Sequence, residues 1–177
     1  MQTWIVFLRA IGGSRTLPSK TFVEILEALK LGDARTYIAT GNAVFRTRTT
    51  NRKKLANGIR DGIHAARGFA PDVLLLTVDE LEGAIANNPW REAESEPKSL
   101  HLVFLSEVPA SPDIAKLESL RTESESFMLK GKVFYVRTPD GAGRSKLFAR
   151  TEKSLGVWGT ARNWRTVCKV RELARSP

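Results

Sequence analysis

Trp4-Ile5-Val6-Phe7-Leu8 and Asp72-Val73-Leu74-Leu75-Leu76 decide the fold of the first half of this chain. Each is a short, almost continuous apolar run, the pattern of a buried strand. Between them, Phe22, Ile25, Leu26 and Leu29 recur at helical spacing, and Gly32 stands where a helix end takes a left-handed residue. Arg35-Thr36-Tyr37-Ile38-Ala39 and Asn42-Ala43-Val44-Phe45-Arg46 read as two strands. Thr40-Gly41 between them has the length of a two-residue hairpin turn. A second helix carries Leu55, Ile59 and Ile63 at four-residue steps and stops near Gly68. The element order is βαββαβ, the ferredoxin-like split unit.

Outward from this unit the pattern returns. Thr77-Val78-Asp79-Glu80 has the form of a capping box and opens a short helix through Leu81 and Ile85, closed by Asn88-Pro89. The polar stretch Arg91 to Ser99 reads as a linker. Leu100 to Leu105 is a strand, and Ser111-Pro112-Asp113 starts a helix with Pro at its first position and Ile114 and Leu117 on its apolar face. Phe127-Met128-Leu129 and Val133-Phe134-Tyr135-Val136 form a hairpin around Lys130-Gly131. Ser145 starts a helix that ends at Gly156. Thr160 to Ala174 then reads as a helix, not a strand, so the second half is βαββαα. The expected class is α+β with two ferredoxin-like subdomains. Residues 1–78 form the first, 79–99 a connecting helix and linker, and 100–177 the second with a C-terminal helix.

The chain has 177 residues and a formal net charge of +9. Counted by block, residues 1–78 carry +7, residues 79–129 carry −7 and residues 130–177 carry +9. Such polarity attracts anions, although positive charge also serves solubility alone. No apolar run approaches the ~20 residues that cross a bilayer, and the N-terminus lacks the basic segment of a signal peptide. Cys168 is the one cysteine, so no intrachain disulfide forms and a reducing, cytoplasmic setting is expected.

Three loops hold the chemistry. Asp140-Gly141-Ala142-Gly143-Arg144-Ser145-Lys146 follows a strand and opens a helix, a place where backbone amides and the helix end favour an anion. Its spacing is not that of a Walker A loop, and a plain strand-to-helix turn capped by Ser145 is the competing reading. Thr160-Ala161-Arg162-Asn163-Trp164-Arg165 places Arg162, Asn163 and Arg165 in the first turns of a helix, where cations are disfavoured unless an anion meets them. Trp164 suits a core anchor better than a base-stacking surface. Arg9-Ala10-Ile11-Gly12-Gly13-Ser14-Arg15 ends the first strand with two cations beside free glycine amides. Arg144, Ser145 and Lys146 are expected to meet Arg162, Asn163 and Trp164 at one concave surface, with Asp140 and Glu152 as the local counter-charges.

Other chemistry is disfavoured. Lys130-Gly131-Lys132-Val133-Phe134-Tyr135 only echoes an RNA-recognition motif: Lys132 stands where an aromatic belongs, and adjacent Phe134 and Tyr135 point to opposite faces. His64 and His101 are distant and the single cysteine lies on an apolar helix face, so no metal site is expected. Glu92, Glu94, Glu96, Glu123 and Glu125 read as a solvated acidic surface.

Four stretches together resemble the DUF1697 family of bacterial proteins of unknown function. They are Phe7-Leu8-Arg9-Ala10-Ile11 with Gly12-Gly13, Arg35 to Phe45, Asp140 to Leu147, and Thr160 to Val167. They follow the family's order, with a first loop two residues shorter than usual. The resemblance implies two ferredoxin-like subdomains and supplies no activity, cofactor or catalytic residue. The residues alone point to a non-catalytic binding protein for a phosphate-bearing ligand or nucleic acid. It would use Arg9, Arg144, Ser145, Lys146, Arg162 and Arg165, with Asn42 and Asn163 as polar readers and no cofactor. An enzyme acting on a phosphorylated small molecule and a protein-interaction module are the alternatives. The oligomeric state is not read from the sequence.

Overall fold

The computed structural model describes residues 1–176. Strands β1 (Gln2–Arg9), β2 (Gly32–Thr36), β3 (Asn42–Thr47) and β4 (Asp72–Thr77) form one antiparallel sheet in the order β2-β3-β1-β4. Helices α1 (Ser19–Ala28) and α2 (Arg52–Arg67) cover it. A second sheet holds β5 (Leu100–Leu105), β6 (Ser126–Lys130), β7 (Val133–Arg137) and β8 (Gly159–Asn163) in the equivalent order β6-β7-β5-β8, with helices α4 (Ile114–Leu120) and α5 (Lys146–Leu155). Helix α3 (Val78–Ala86) follows the first sheet and α6 (Trp164–Arg175) the second. The chain divides into Met1–Gly83 with the segment from Cys168 onward, and Ala84–Val167.

The buried runs set the cores. Trp4, Val6 and Leu8 of β1 face Phe22, Leu26, Ile59 and Ile63 of α1 and α2. Ile5, Phe7 and Val44, on the opposite face, are buried as well, which is why β1 reads as continuously apolar rather than alternating. In the second unit Val103, Leu105, Phe134 and Val136 pack with Leu117, Leu147 and Leu155. Phe134 and Tyr135 point to opposite faces as their adjacency requires, and Tyr135 donates from its hydroxyl to the Ala84 carbonyl at 2.7 Å.

The capping box at α3 forms as read: Thr77 N–H donates to Glu80 at 2.8 Å and Glu80 N–H to the Thr77 hydroxyl at 3.2 Å. Five local readings are corrected. Residues 160–163 are strand β8, paired antiparallel with β5 from His101↔Asn163 to Leu105↔Gly159, so the second unit is βαββαβ and α6 starts only at Trp164. The strand passes so close to β5 that a Cβ on Gly159 would lie 2.8 Å from Val103 Cγ1. The β2–β3 connection is the loop 37–41 rather than a two-residue turn, because β2 already ends at Thr36. The left-handed residue after α1 is Lys30 (φ 59°), not Gly32: Lys30 N–H bonds to Glu27 O and Leu31 N–H to Leu26 O, closing the helix two residues earlier. Asp113 is the N-cap of α4, accepting from Lys116 N–H at 2.9 Å, and Ile114 is exposed. Glu125 is buried rather than solvated, its carboxylate accepting from Thr122 N–H at 2.9 Å.

Candidate functional site

The Gly141 turn and the start of α6 share a cleft of about 280 Å³ in the second unit. Its position follows from the sheet. Leu100 pairs with Arg137, so the strand entrance at Lys98-Ser99 meets the strand exit at Thr138-Pro139, tied by Thr138 N–H to Ser99 O at 2.7 Å. Lys98, Arg165, Glu96, Ser99, Thr138 and Gly141 line it. Lys98 and Arg165 are exposed and have no ion-pair partner among the described residues. Glu96 is the one carboxylate on the rim. Ser99 Oγ donates to Glu96 O at 2.9 Å and Gly141 N–H to Thr138 O at 2.9 Å. The donors left for a guest are therefore the two cations.

The residues expected to act together are arranged differently. Arg144 N–H donates to Gly141 O and Ser145 N–H to Ala142 O. Ser145 Oγ caps α5 through Phe148 N–H at 3.0 Å. Those amides close the turn on itself, and Ser145 is buried. Arg144 and Lys146 are exposed beside the turn. Asn163 caps α6, its Oδ1 accepting from Thr166 N–H at 2.9 Å, and Trp164 is buried. Arg162 stands opposite Leu102, which itself stands opposite Tyr135, and so shares their sheet face rather than a helix N-terminus. Its Nη1 donates to Thr160 Oγ1 at 2.7 Å and Ala161 O at 2.8 Å. Burial pulls its guanidinium down to about 10, so it stays charged at neutral pH. Asp140, expected as a counter-charge, accepts from Ser124 Oγ at 3.0 Å, and Glu152 accepts from Gly159 N–H at 3.3 Å.

In the first unit, Arg9 pairs with Asp72 at 3.0 Å across β1 and β4. Gly12 and Arg15 exchange two backbone hydrogen bonds at 3.0 Å, which closes that loop. Asn42 is fully buried and donates from Nδ2 to Tyr37 O at 3.0 Å and Thr40 Oγ1 at 2.9 Å; it holds the 37–41 loop together. Lys98 was hidden from sequence reasoning inside an acidic stretch, and only the strand pairing brings it to the cleft. Among the described residues no group of three His, Cys, Asp or Glu side chains could hold a metal ion, and no helix is long and apolar enough to cross a membrane.

Two βαββαβ units in tandem define the class: an α+β protein of two ferredoxin-like subdomains. The chain belongs to the DUF1697 family, whose model, described as a protein of unknown function, matches residues 1–135. The turn at 140–146 and the stretch at 160–166 lie beyond that match. Among solved structures, the chain is similar to the conserved bacterial protein SP0830 from Streptococcus pneumoniae, with a TM-score of 0.74 and 18% sequence identity over 98% of this chain and 99% of that one. Identity this low speaks for the fold alone. No curated protein matches.

Proposed function

We propose that this protein is a non-catalytic, cytoplasmic binding protein for a phosphate-bearing ligand, a nucleic-acid backbone being the polymeric form of the same chemistry. The observation that carries the reading is that Lys98 and Arg165, two cations without an ion-pair partner among the described residues, line the same Gly141 cleft. Arg165 sits in the first turn of α6, where its own helix disfavours it, and an incoming anion relieves that. Arg144 and Lys146, exposed a few residues beyond Gly141, add to the positive charge of this segment, and Glu96 limits how much negative charge the cleft tolerates.

The test is titration calorimetry with inorganic phosphate, followed by fluorescence anisotropy with a labelled oligothymidylate across a salt series. Binding that weakens steeply with salt for the oligonucleotide, and is lost in the double variant Lys98→Ala/Arg165→Ala, is the expected result. Affinity unchanged in that variant overturns the assignment of the cleft. No binding of either probe at low salt removes the function.

A further inference from the structure

A second cleft, in the first unit, has a different make-up. It encloses about 310 Å³ between the C-terminal end of α1 and the first turns of α2. Leu29, Leu31 and Leu55 form its apolar wall, Lys30 and Lys54 its cations, and Thr47 and Thr49 approach from the end of β3; Gly58 leaves it open on the α2 side. No carboxylate lines it. Neither lysine has an ion-pair partner among the described residues. We propose that this cleft binds an organic phosphate: a phosphate monoester held by Lys30 and Lys54, carrying a flat or apolar body of mononucleotide size that lies on the leucines. This site is separate from the Gly141 cleft and does not rest on it.

Four features argue for it. The first is the pairing of chemistries. Three leucines with two lysines and two hydroxyls match an amphipathic guest better than a bare ion, and the volume falls at the small end of ligand clefts, ~300–1,000 Å³. The second is a fixed wall. Trp4 Nε1 donates to Thr49 O at 3.3 Å, Thr49 N–H donates to Thr47 Oγ1 at 3.2 Å, and Asn51 caps α2 through Lys54 N–H at 2.9 Å. The segment that carries the hydroxyls and Lys54 is therefore held before any ligand arrives, which lowers the ordering cost of binding. The third is Lys30 itself. It occupies the left-handed position after α1 with φ 59°, where glycine is the unstrained residue. A strained backbone position that presents a cation to a cleft is a place to look for function. The fourth is Gly58, whose hypothetical Cβ would reach only to 4.0 Å from Leu29 Cδ2, so the opening between the helices exists because no side chain fills it.

The experiment uses the full chain and three probes in titration calorimetry: adenosine 5′-monophosphate, adenosine and inorganic phosphate. The expected order is the monophosphate tightest, with each half at least about tenfold weaker, since each retains only one of the two contact chemistries. Three variants locate the site. Lys30→Gly removes a cation and relieves the left-handed strain, so it should keep or raise the melting temperature while weakening the monophosphate about tenfold. Lys54→Ala should do the same to affinity. Gly58→Leu fills the cleft at a helical position without touching charge and should abolish binding. Equal affinity for adenosine and its monophosphate, wild-type affinity in Lys30→Gly, or no saturable binding at millimolar concentrations each overturns the proposal. Retained binding in Lys98→Ala/Arg165→Ala, with loss in the Lys30 and Gly58 variants, separates this site from the Gly141 cleft.

Discussion

Gly41→Ala probes the junction between the β2–β3 loop and the core. Gly41 has φ 78°, and a Cβ placed on it would lie 2.6 Å from Leu8 Cβ and 3.1 Å from Ile11 Cγ1 and Leu8 Cγ. The left-handed backbone alone costs a non-glycine residue about 1–2 kcal/mol. The clash adds an overpacking cost of about 1–3 kcal/mol, because Leu8 Cβ belongs to a buried strand and cannot swing aside. The loop cannot retreat easily either, since Leu8 N–H donates to Gly41 O at 2.8 Å. The total, about 2–5 kcal/mol, is a large part of a typical domain's stability of ~5–15 kcal/mol. Gly13→Ala is the control. Gly13 has φ 59° with nothing within 4 Å of its Cβ position, so only the backbone part, about 1–2 kcal/mol, applies. Urea unfolding followed by tryptophan fluorescence reads both, with Trp4 buried in the same core. A urea slope of ~1–3 kcal/mol/M turns the difference into a midpoint gap of about 1 M. Equal midpoints for the two variants would refute the packing argument and leave Gly41 explained by its backbone alone.

Tyr135→Phe removes a buried hydroxyl and strands the Ala84 carbonyl, which should lower stability by about 1–2 kcal/mol. Burial raises the Tyr135 pKa to about 12, so the folded state holds its proton longer than the unfolded one. The gap to wild type in thermal melts should be flat from pH 7 to the ordinary tyrosine pKa of 10.0 and narrow above it. His101 titrates in the other direction. Its Nδ1 is buried without a partner and its ring meets Phe148 edge-on at 5.2 Å, and burial pulls its pKa below 6.5. The unfolded chain then takes up the proton first, so stability falls as pH drops below 6.5 toward the folded-state pKa. His101→Leu should lose that part of the pH dependence; an identical slope in melts between pH 7.5 and pH 5 would show that His101 carries none of it.

The strands and helices that bury an apolar face were legible because burial is written in side-chain periodicity. β1, β4, α2 and α5 fall where their leucines, isoleucines and valines place them. β8 was not legible. Thr160-Ala161-Arg162-Asn163 has no alternating apolar pattern, and its strand character comes from pairing with β5, a contact made from 56–62 residues away in sequence. That single misreading displaced Arg162 and Asn163 from a sheet and a cap to the first turns of a helix. The loop residues suffered a related error. Asn42, Ser145 and Asn163 have side chains suited to holding a ligand, but each satisfies a nearby backbone or loop group instead. A short polar side chain next to a turn finds its own chain first, because that partner is already at hand and costs little entropy to reach. Lys98 and Lys30 were passed over for the opposite reason: what singles them out is the empty space they border, and no one-dimensional pattern records a cavity.

Charge and capping together set the helix starts of the basic blocks apart from those of the acidic block. α3, in the acidic block, opens with Asp79 and Glu80, and α4 is capped by Asp113; both follow the preference of a helix start for negative charge. α2, α5 and α6, in the basic blocks, have no acid in their first turn. Their caps are the neutral Asn51, Ser145 and Asn163, and their first turns carry Arg52-Lys53-Lys54, Lys146 and Arg165. Each exposed cation so placed costs about 0.3–1 kcal/mol. Among these five, Arg52 alone has an ion-pair partner within the described residues: it grips Glu80 at 2.8 Å and lies over the Trp4 ring at 5.3 Å. Solubility does not require this arrangement, because a lysine at the far end of the same helix would serve solubility equally and gain stability there. Cations gathered at three helix starts, capped without negative charge and mostly left unpaired, keep a positive potential that an anion from outside can satisfy. Lys54 and Arg165 bring that potential to the edges of the two clefts, which is the physical ground on which phosphate is proposed at both.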